Sequence, residues 1–240
     1  MLCRVFLPRG DISLDEDRIE YIRKLIAESQ LSDFPKYVTC LGLDLEVHRE
    51  VFWGDTAPWV TEHLPPMIGK NVLEIGCGCG LISLFLAKNG ASHVLATDIT
   101  TNAVENTLTN ARRNEIPNIT CMKSDIFLAI DPDKKFDCII WHMPSTYVPE
   151  DFEIVSMIEH SSFDPGGSLL DRFLRESPHH LMPNGSIMLG YNVSRNRSFI
   201  TDKLDQYSLS HNRIADKKFT LDSMINLHLY EIKPIVSGPY

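Results

Sequence analysis

The stretch Val72-Leu73-Glu74-Ile75-Gly76-Cys77-Gly78-Cys79-Gly80 constrains this chain more than any other. An apolar run of strand character enters three glycines at alternate positions. The apolar segment Leu81 to Lys88 follows as a helix and closes at the stop signal Asn89-Gly90. Glycine is needed where the backbone turns sharply at positive φ, or where a ligand must come close to the main chain. Strand, glycine turn and helix in this order open a parallel α/β sheet, whose ligands bind at the carboxyl ends of the strands.

The rhythm continues downstream. His93 to Thr97 reads as a second strand closed by Asp98, Thr101 to Asn114 as a helix ending before Pro117, and Ile119 to Lys123 as a third strand. Phe136 to His142 is a fourth strand. A long connection from Met143 to Gly167 leads to a helix over Leu169 to Leu181, the turn Pro183-Asn184-Gly185 and a fifth strand over Ser186 to Tyr191. Apolar runs at Lys218 to Leu221 and Ile225 to Ile232 predict a closing hairpin. The expected fold is α/β: a doubly wound, mostly parallel, seven-stranded sheet with helices on both faces. Upstream, Ile19, Ile22, Leu25 and Ile26 predict an amphipathic helix over Leu14 to Ser29, and Tyr37 to Phe52 an extended segment or hairpin. Residues 1–58 are read as an N-terminal extension or lid, and residues 59–240 as the ligand-binding domain.

At 240 residues the chain is long enough for one large core without disulfides. Six cysteines without a Cys-x-x-Cys pair read as free thiols, and no metal site is expected. A formal net charge of −9 argues against a non-specific grip on nucleic acid, which needs a basic face. No apolar run approaches the roughly 18 residues of a membrane span, and the first residues lack a signal-peptide core, so the expected compartment is the cytoplasm and no membrane partner is expected.

Glycine spacing separates the possible ligands. A dinucleotide site uses Gly-x-Gly-x-x-Gly with pyrophosphate on the helix N-terminus. Here the pattern is Gly-x-Gly-x-Gly with Glu74 before it, which suits a ligand with a cationic amine and no phosphate, such as S-adenosylmethionine (SAM). Asp98, at the end of the second strand, is placed to accept from both ribose hydroxyls, with Ile99 against the adenine. Asp125, after the third strand, is placed to accept from the adenine amino group, with Ile126 or Phe127 over the ring. One aspartate after a strand is usually a helix N-cap. Three neighbouring strand ends in this order point to one nucleoside crevice.

With these residues in view, the chain resembles the class I SAM-dependent methyltransferases, and within them the branch of release-factor glutamine methyltransferases and small-domain ribosomal RNA methyltransferases. Thr97-Asp98-Ile99, Ala103-Val104-Glu105-Asn106, Asn110-Ala111, and Gly166-Gly167 through Arg172-Phe173-Leu174 to Pro183-Asn184-Gly185 carry that resemblance beside the glycine turn. It implies a methyl transfer from SAM, with Trp53, Asp55 and Thr56 as candidates at the methionine end of the cofactor. It also places Trp141, His142, Met143, Pro144 and Tyr147 on the acceptor side. Relatives that methylate planar nitrogens carry Asn-Pro-Pro-Tyr after the fourth strand, whereas this chain reads His142-Met143-Pro144-Ser145. That departure removes the amide and the stacking ring, which weakens the carry-over of nitrogen methylation of glutamine, adenine or guanine and leaves the SAM reading intact.

An activated methyl donor leaves the protein mainly an alignment task, at roughly 3–3.5 Å between the reacting atoms. His142 is the candidate to orient or deprotonate the acceptor, since an ordinary imidazole titrates near neutrality. His160, His179 and His180 are further candidates for an acceptor pocket. The acidic charge and the altered motif favour a small-molecule acceptor, with protein second and nucleic acid third. Two rival readings are a nicotinamide-dependent oxidoreductase, opposed by the glycine spacing and Glu74, and a non-catalytic SAM-binding subunit.

Overall fold

A computed structural model of the protein describes residues 12–194, 197–219 and 225–235. Its elements in chain order are α1 (Ile12–Ser29), β1 (Lys36–Cys40), β2 (Leu43–Val47), α2 (Thr56–His63), β3 (Asn71–Ile75), α3 (Leu81–Lys88), β4 (His93–Asp98), α4 (Thr101–Arg113), β5 (Ile119–Lys123), β6 (Phe136–His142), β7 (Thr146–Val148), β8 (Phe163–Pro165), α5 (Ser168–Glu176), β9 (Leu181–Asn192), α6 (Arg197–Gln206), β10 (Leu209–Phe219) and β11 (Ile225–Pro234). Seven strands form one sheet in the order β10-β11-β9-β6-β3-β4-β5. The five strands from β9 to β5 run parallel, and β11 is antiparallel to both its neighbours. Chain order reverses beside β3, between its neighbours β4 and β6. That is the switch point at which α/β sheets bind ligands.

Both faces are covered, which explains why the central strands are apolar at consecutive positions. Val72, Ile140 and Met188 join a core with the β1–β2 hairpin, α2, α3 and α4. Their strand neighbours Leu73, Ile139 and Ile187 join a second core with α5 and α6.

The hairpin turns on Leu41 and Gly42, both at positive φ, a conformation that matches the twist of paired strands. It is fastened to the domain by three asparagines one turn apart, two on α4 and one at its C-cap. The backbone N–H groups of His48, Glu46 and Asp44 donate to Asn106, Asn110 and Asn114 at 2.9, 2.8 and 2.9 Å. The amide nitrogens of these asparagines return bonds to the carbonyls of Glu46 and Asp44. Four helical residues rise about 6.0 Å and two strand residues about 6.8 Å, so the ladder stays in register over three rungs. Asn110 also donates to the Cys79 carbonyl at 2.8 Å, tying the hairpin to the glycine turn.

Several sequence expectations need correction. The helix expected over Leu169 to Leu181 stops at Glu176 and continues as a single 3-10 turn, Ser177–His180. Pro178 has no N–H to donate, and a proline restricts the residue before it. The fifth strand begins at Leu181, and the expected turn at Asn184 is an irregularity inside it, at φ +66°. The first strand of the closing hairpin is β10, which lies earlier than expected; of the expected run, residues 220 and 221 fall outside the described residues. β10 is a mostly exposed polar edge strand with no apolar run to announce it. Helices α2 and α6 were not foreseen. The boundary expected after residue 58 falls inside α2, and Pro58 occupies its first turn, where no intrahelical N–H partner is required.

Replacing Asn110 by alanine removes three hydrogen bonds in a fully buried position. Urea unfolding should show Asn110→Ala less stable by about 2–3 kcal/mol, and the more exposed Asn114→Ala less stable by under about 1 kcal/mol.

Candidate active site

The chain leaves β3 through Gly76, Gly78 and Gly80, at φ of +69°, +55° and +90°. The demand differs among them. A Cβ on Gly80 would lie 2.8 Å from Thr107 Cγ2, so α4 packs directly against this backbone. A Cβ on Gly78 would meet nothing nearer than 3.9 Å, and there the positive φ alone selects glycine. The loop is pinned from both sides. Gly78 N–H donates to Asp98 Oδ2 at 3.1 Å, Cys77 N–H donates to the Thr97 carbonyl at 2.9 Å, and Thr107 Oγ1 donates to the Gly78 carbonyl at 3.0 Å.

Asp98 Oδ1 accepts from Thr100 N–H at 2.9 Å and from Thr100 Oγ1 at 3.0 Å. Each carboxylate oxygen thus has a protein donor and retains acceptor capacity toward the cavity. Burial raises the Asp98 carboxyl above its ordinary range. Glu74 lies deeper, at 2% exposure beneath the loop, and accepts a hydrogen bond from Ser83 Oγ. Burial pushes its carboxyl from 4.5 to about 8, against the opposing effect of the Ser83 bonds. It is mostly protonated at neutral pH.

The tips of β5, β4, β3, β6 and β9 share one cavity of about 340 Å³. At about 4.8 Å per strand, the tips span roughly 19 Å. Glu74, Gly76, Gly78, Asp98, Ile99, Asp125, Ile126, Trp53, Thr56, Trp141, His142, Met143 and Pro144 all border it. Gly80 supports the loop from behind. The Asp125 carboxylate is held by Arg172 Nη1, 3.1 Å from each of its oxygens. Ile126, a β-branched residue, sits at φ +51° in a turn clamped by Ser124 Oγ, which donates to the Ile126 carbonyl at 2.8 Å.

On the acceptor side, Trp141 borders the cavity but is 4% exposed. Its ring lies edge-on to Phe173 at 4.9 Å, and its Nε1 is where a side chain on Gly76 would clash, so it packs beneath the loop. His142, the next residue on the strand, is turned to the opposite face of the sheet. It makes no hydrogen bond with another described residue, and Gly190 gives it room: a Cβ there would lie 3.1 Å from His142 Cδ2. Burial alone pulls the His142 imidazole from 6.5 to about 4. It is therefore neutral at physiological pH, with one N–H donor and one nitrogen acceptor, and a weaker base than its ordinary pKa suggested.

Tyr147 is a correction. It does not border the cavity and packs with Phe199, ring centroids 6.1 Å apart. On β7, strand alternation turns Thr146 toward the cavity and Tyr147 away. His160 lines the cavity. His179 does not, and His180 stacks on Phe127 at 4.8 Å. The roof of the cavity is formed by Arg18, Tyr21, Ile22, Leu25 and Ile26 of α1, within the segment read as an extension or lid, although none of these residues was singled out for the site. Their helical periodicity was legible, but nothing local said what the face would cover. The sequence reading missed Ser145 and Asn192, which line the cavity and are joined by a 3.1 Å bond from Asn192 N–H to Ser145 Oγ.

Among the described residues no helix is long and apolar enough to cross a membrane, and no group of three or more His, Cys, Asp or Glu is placed to hold a metal. The family model described as methyltransferase small domain matches residues 55–220. A Methanocaldococcus jannaschii protein, provisionally named a protein N5-glutamine methyltransferase, is 35% identical over 152 residues, 62% of this chain and 75% of that one. A release factor glutamine methyltransferase of Fusobacterium nucleatum is 32% identical over 102 residues, 42% of this chain and 28% of that one, so the chain spans under a third of its length. A 16S rRNA methyltransferase of T. thermophilus in complex with AdoMet and guanosine shares the fold, with a TM-score of 0.60 at 17% identity over 83% of this chain and 50% of that one.

Because the folded chain holds on Glu74 a proton that the unfolded chain releases, the Glu74 contribution to stability is full below about pH 4.5 and is lost as pH rises toward 8. The loss is on the order of 4 kcal/mol. Glu74→Gln, neutral at every pH, should flatten this slope in urea unfolding at about pH 5 and about pH 8; an unchanged slope would show that Glu74 is ionised in the fold.

Proposed function

This chain belongs to the methyltransferase small domain family and is a SAM-dependent methyltransferase, and from that premise we propose that its acceptor is a protein side chain. Bound SAM supplies an electrophilic methyl group on a positively charged sulfur. The cavity fits such a ligand: it is long, it has acidic groups along one side, and its glycine turn offers backbone without a side chain at Gly78.

In this reading Asp98 holds the ribose, Asp125 accepts from the adenine amino group, and Ile99 and Ile126 flank the base. Trp53 and Thr56 close the methionine end, and Glu74 supports the loop from below. Glu74 and Asp98 are both raised by desolvation, so a cation nearby stabilises their ionised forms. His142 orients the acceptor: a neutral imidazole can take one hydrogen bond from the acceptor's N–H or O–H, and Met143 and Pro144 fix its surroundings.

The observation that carries a protein acceptor is the rim of the cavity. Leu25, Phe52 and Met157, from three separate segments, border it and remain 40%, 40% and 46% exposed. Apolar side chains gathered at the mouth of a site are suited to docking a macromolecule. The names of two relatives, both protein methyltransferases, support the same reading. The small-molecule preference drawn from charge and the altered motif gives way to it.

Labelled methyl from SAM should enter the protein fraction of a cell extract, and Met157→Asp should cut this labelling at least about tenfold while S-adenosylhomocysteine binding is kept. Label in the small-molecule or RNA fraction would refute the proposal, and binding without transfer to any fraction would assign a non-catalytic role. His142→Ala should lower turnover about a hundredfold at unchanged cofactor affinity. Full turnover in that variant would remove His142 from the mechanism.

A further inference from the structure

Arg172 lies on α5, outside the cavity wall, yet its guanidinium meets three acceptors of one residue that is in the wall. Nη1 is 3.1 Å from both carboxylate oxygens of Asp125, and Nη2 is 3.5 Å from the Asp125 carbonyl. An exposed ion pair held by one contact contributes little to stability. Here the contacts fix both the side chain of Asp125 and its backbone. The next residue is Ile126 at φ +51°, a conformation that a β-branched side chain adopts only when its surroundings impose it. We infer that Arg172 is a positioning residue that sets selectivity for the adenine amino group by holding Asp125 toward the cavity. The inference rests on the reading of Asp125 as the acceptor from that amino group.

Local architecture explains why α5 can do this. Its first turn is anchored on the acceptor side of the site. Asp164 of β8, nearly buried, accepts from Leu169 N–H at 2.8 Å and from Leu170 N–H at 3.4 Å. β8 pairs with β7, which directly follows the wall residues Pro144 and Ser145. A Cβ on Gly167, at the helix start, would lie 2.8 Å from Phe199 Cζ, so the entry into α5 has no slack. One turn later the same helix delivers Arg172 to the far end of the cavity. A carboxylate has about four acceptor positions; Arg172 Nη1 occupies two and leaves the others for a ligand donor. Lysine at this position would supply a point charge without the planar fork that engages carboxylate and carbonyl together.

The test compares S-adenosylhomocysteine with S-inosylhomocysteine, in which a carbonyl replaces the amino group, by calorimetry on the full chain. The wild type should prefer the adenosyl ligand at least about tenfold, because the inosyl carbonyl faces an acceptor. Asp125→Asn should abolish or reverse the preference, since an amide can donate to the carbonyl. Arg172→Leu should reduce it to below about threefold, and Arg172→Lys should leave it intermediate. A merely structural arginine would change both affinities together and leave the ratio intact. An unchanged ratio in both Arg172 variants with a lost ratio in Asp125→Asn would overturn the role of Arg172. An unchanged ratio in all three would overturn the reading of Asp125 itself. If Arg172→Leu fails to fold, Arg172→Lys alone decides, since it keeps the charge and loses the fork.

Discussion

Gly76, Gly78 and Gly80 bend the chain off β3 in the left-handed region at three positions out of five, and Asp98 at the tip of the neighbouring strand takes the Gly78 N–H. The geometry of the site follows from that arrangement. It aims the first turn of α3 back along the sheet, and it leaves backbone facing the cavity where any side chain would intrude. It also spends one lone pair of Asp98 on the loop, so the aspartate is held in place for whatever it meets in the crevice. Thr107 Oγ1 and Asn110, both on α4, bond the Gly78 and Cys79 carbonyls from behind and keep the loop in that shape.

Desolvation gives the cavity its electrostatic character. Glu74 and Asp98 are pushed toward their neutral acids, and His142 toward its neutral base. With Glu74 and His142 neutral, these two positions add no uncompensated buried charge. A cationic ligand makes the ionised carboxylates favourable again, because the opposite charge offsets the desolvation they suffer. The neutral imidazole at the β6 tip is unaffected by that exchange and keeps one donor and one acceptor for orientation.

Much of this was legible from residues alone. β3, β5 and β6 lie where their apolar runs placed them, and β4 ends one residue later, at Asp98. Glu74, Asp98, Asp125 and His142 share one crevice because parallel strands bring their carboxyl ends to one edge. The β7 and α5 details were not legible. Tyr147 follows a two-residue step that sets its facing, and a short strand inside a long connection leaves no periodic signal. Arg172 stands in the stretch that carries the family resemblance, but no role was legible for it, because its partner lies 47 positions away. The asparagines of α4 look like poor helix residues until the edge of β2 is laid beside them. The roof made by α1 falls in the segment read as an extension or lid, but which of its residues would face the cavity is a tertiary choice.

In the proposed function, Asp98 and the loop it pins are the holder of an adenosine. Calorimetric titration of S-adenosylhomocysteine into the wild-type chain and into Asp98→Ala tests this directly. One equivalent should bind the wild type, and the variant should bind at least about tenfold more weakly. Absence of binding to the wild type, or equal affinity in the variant, would contradict it.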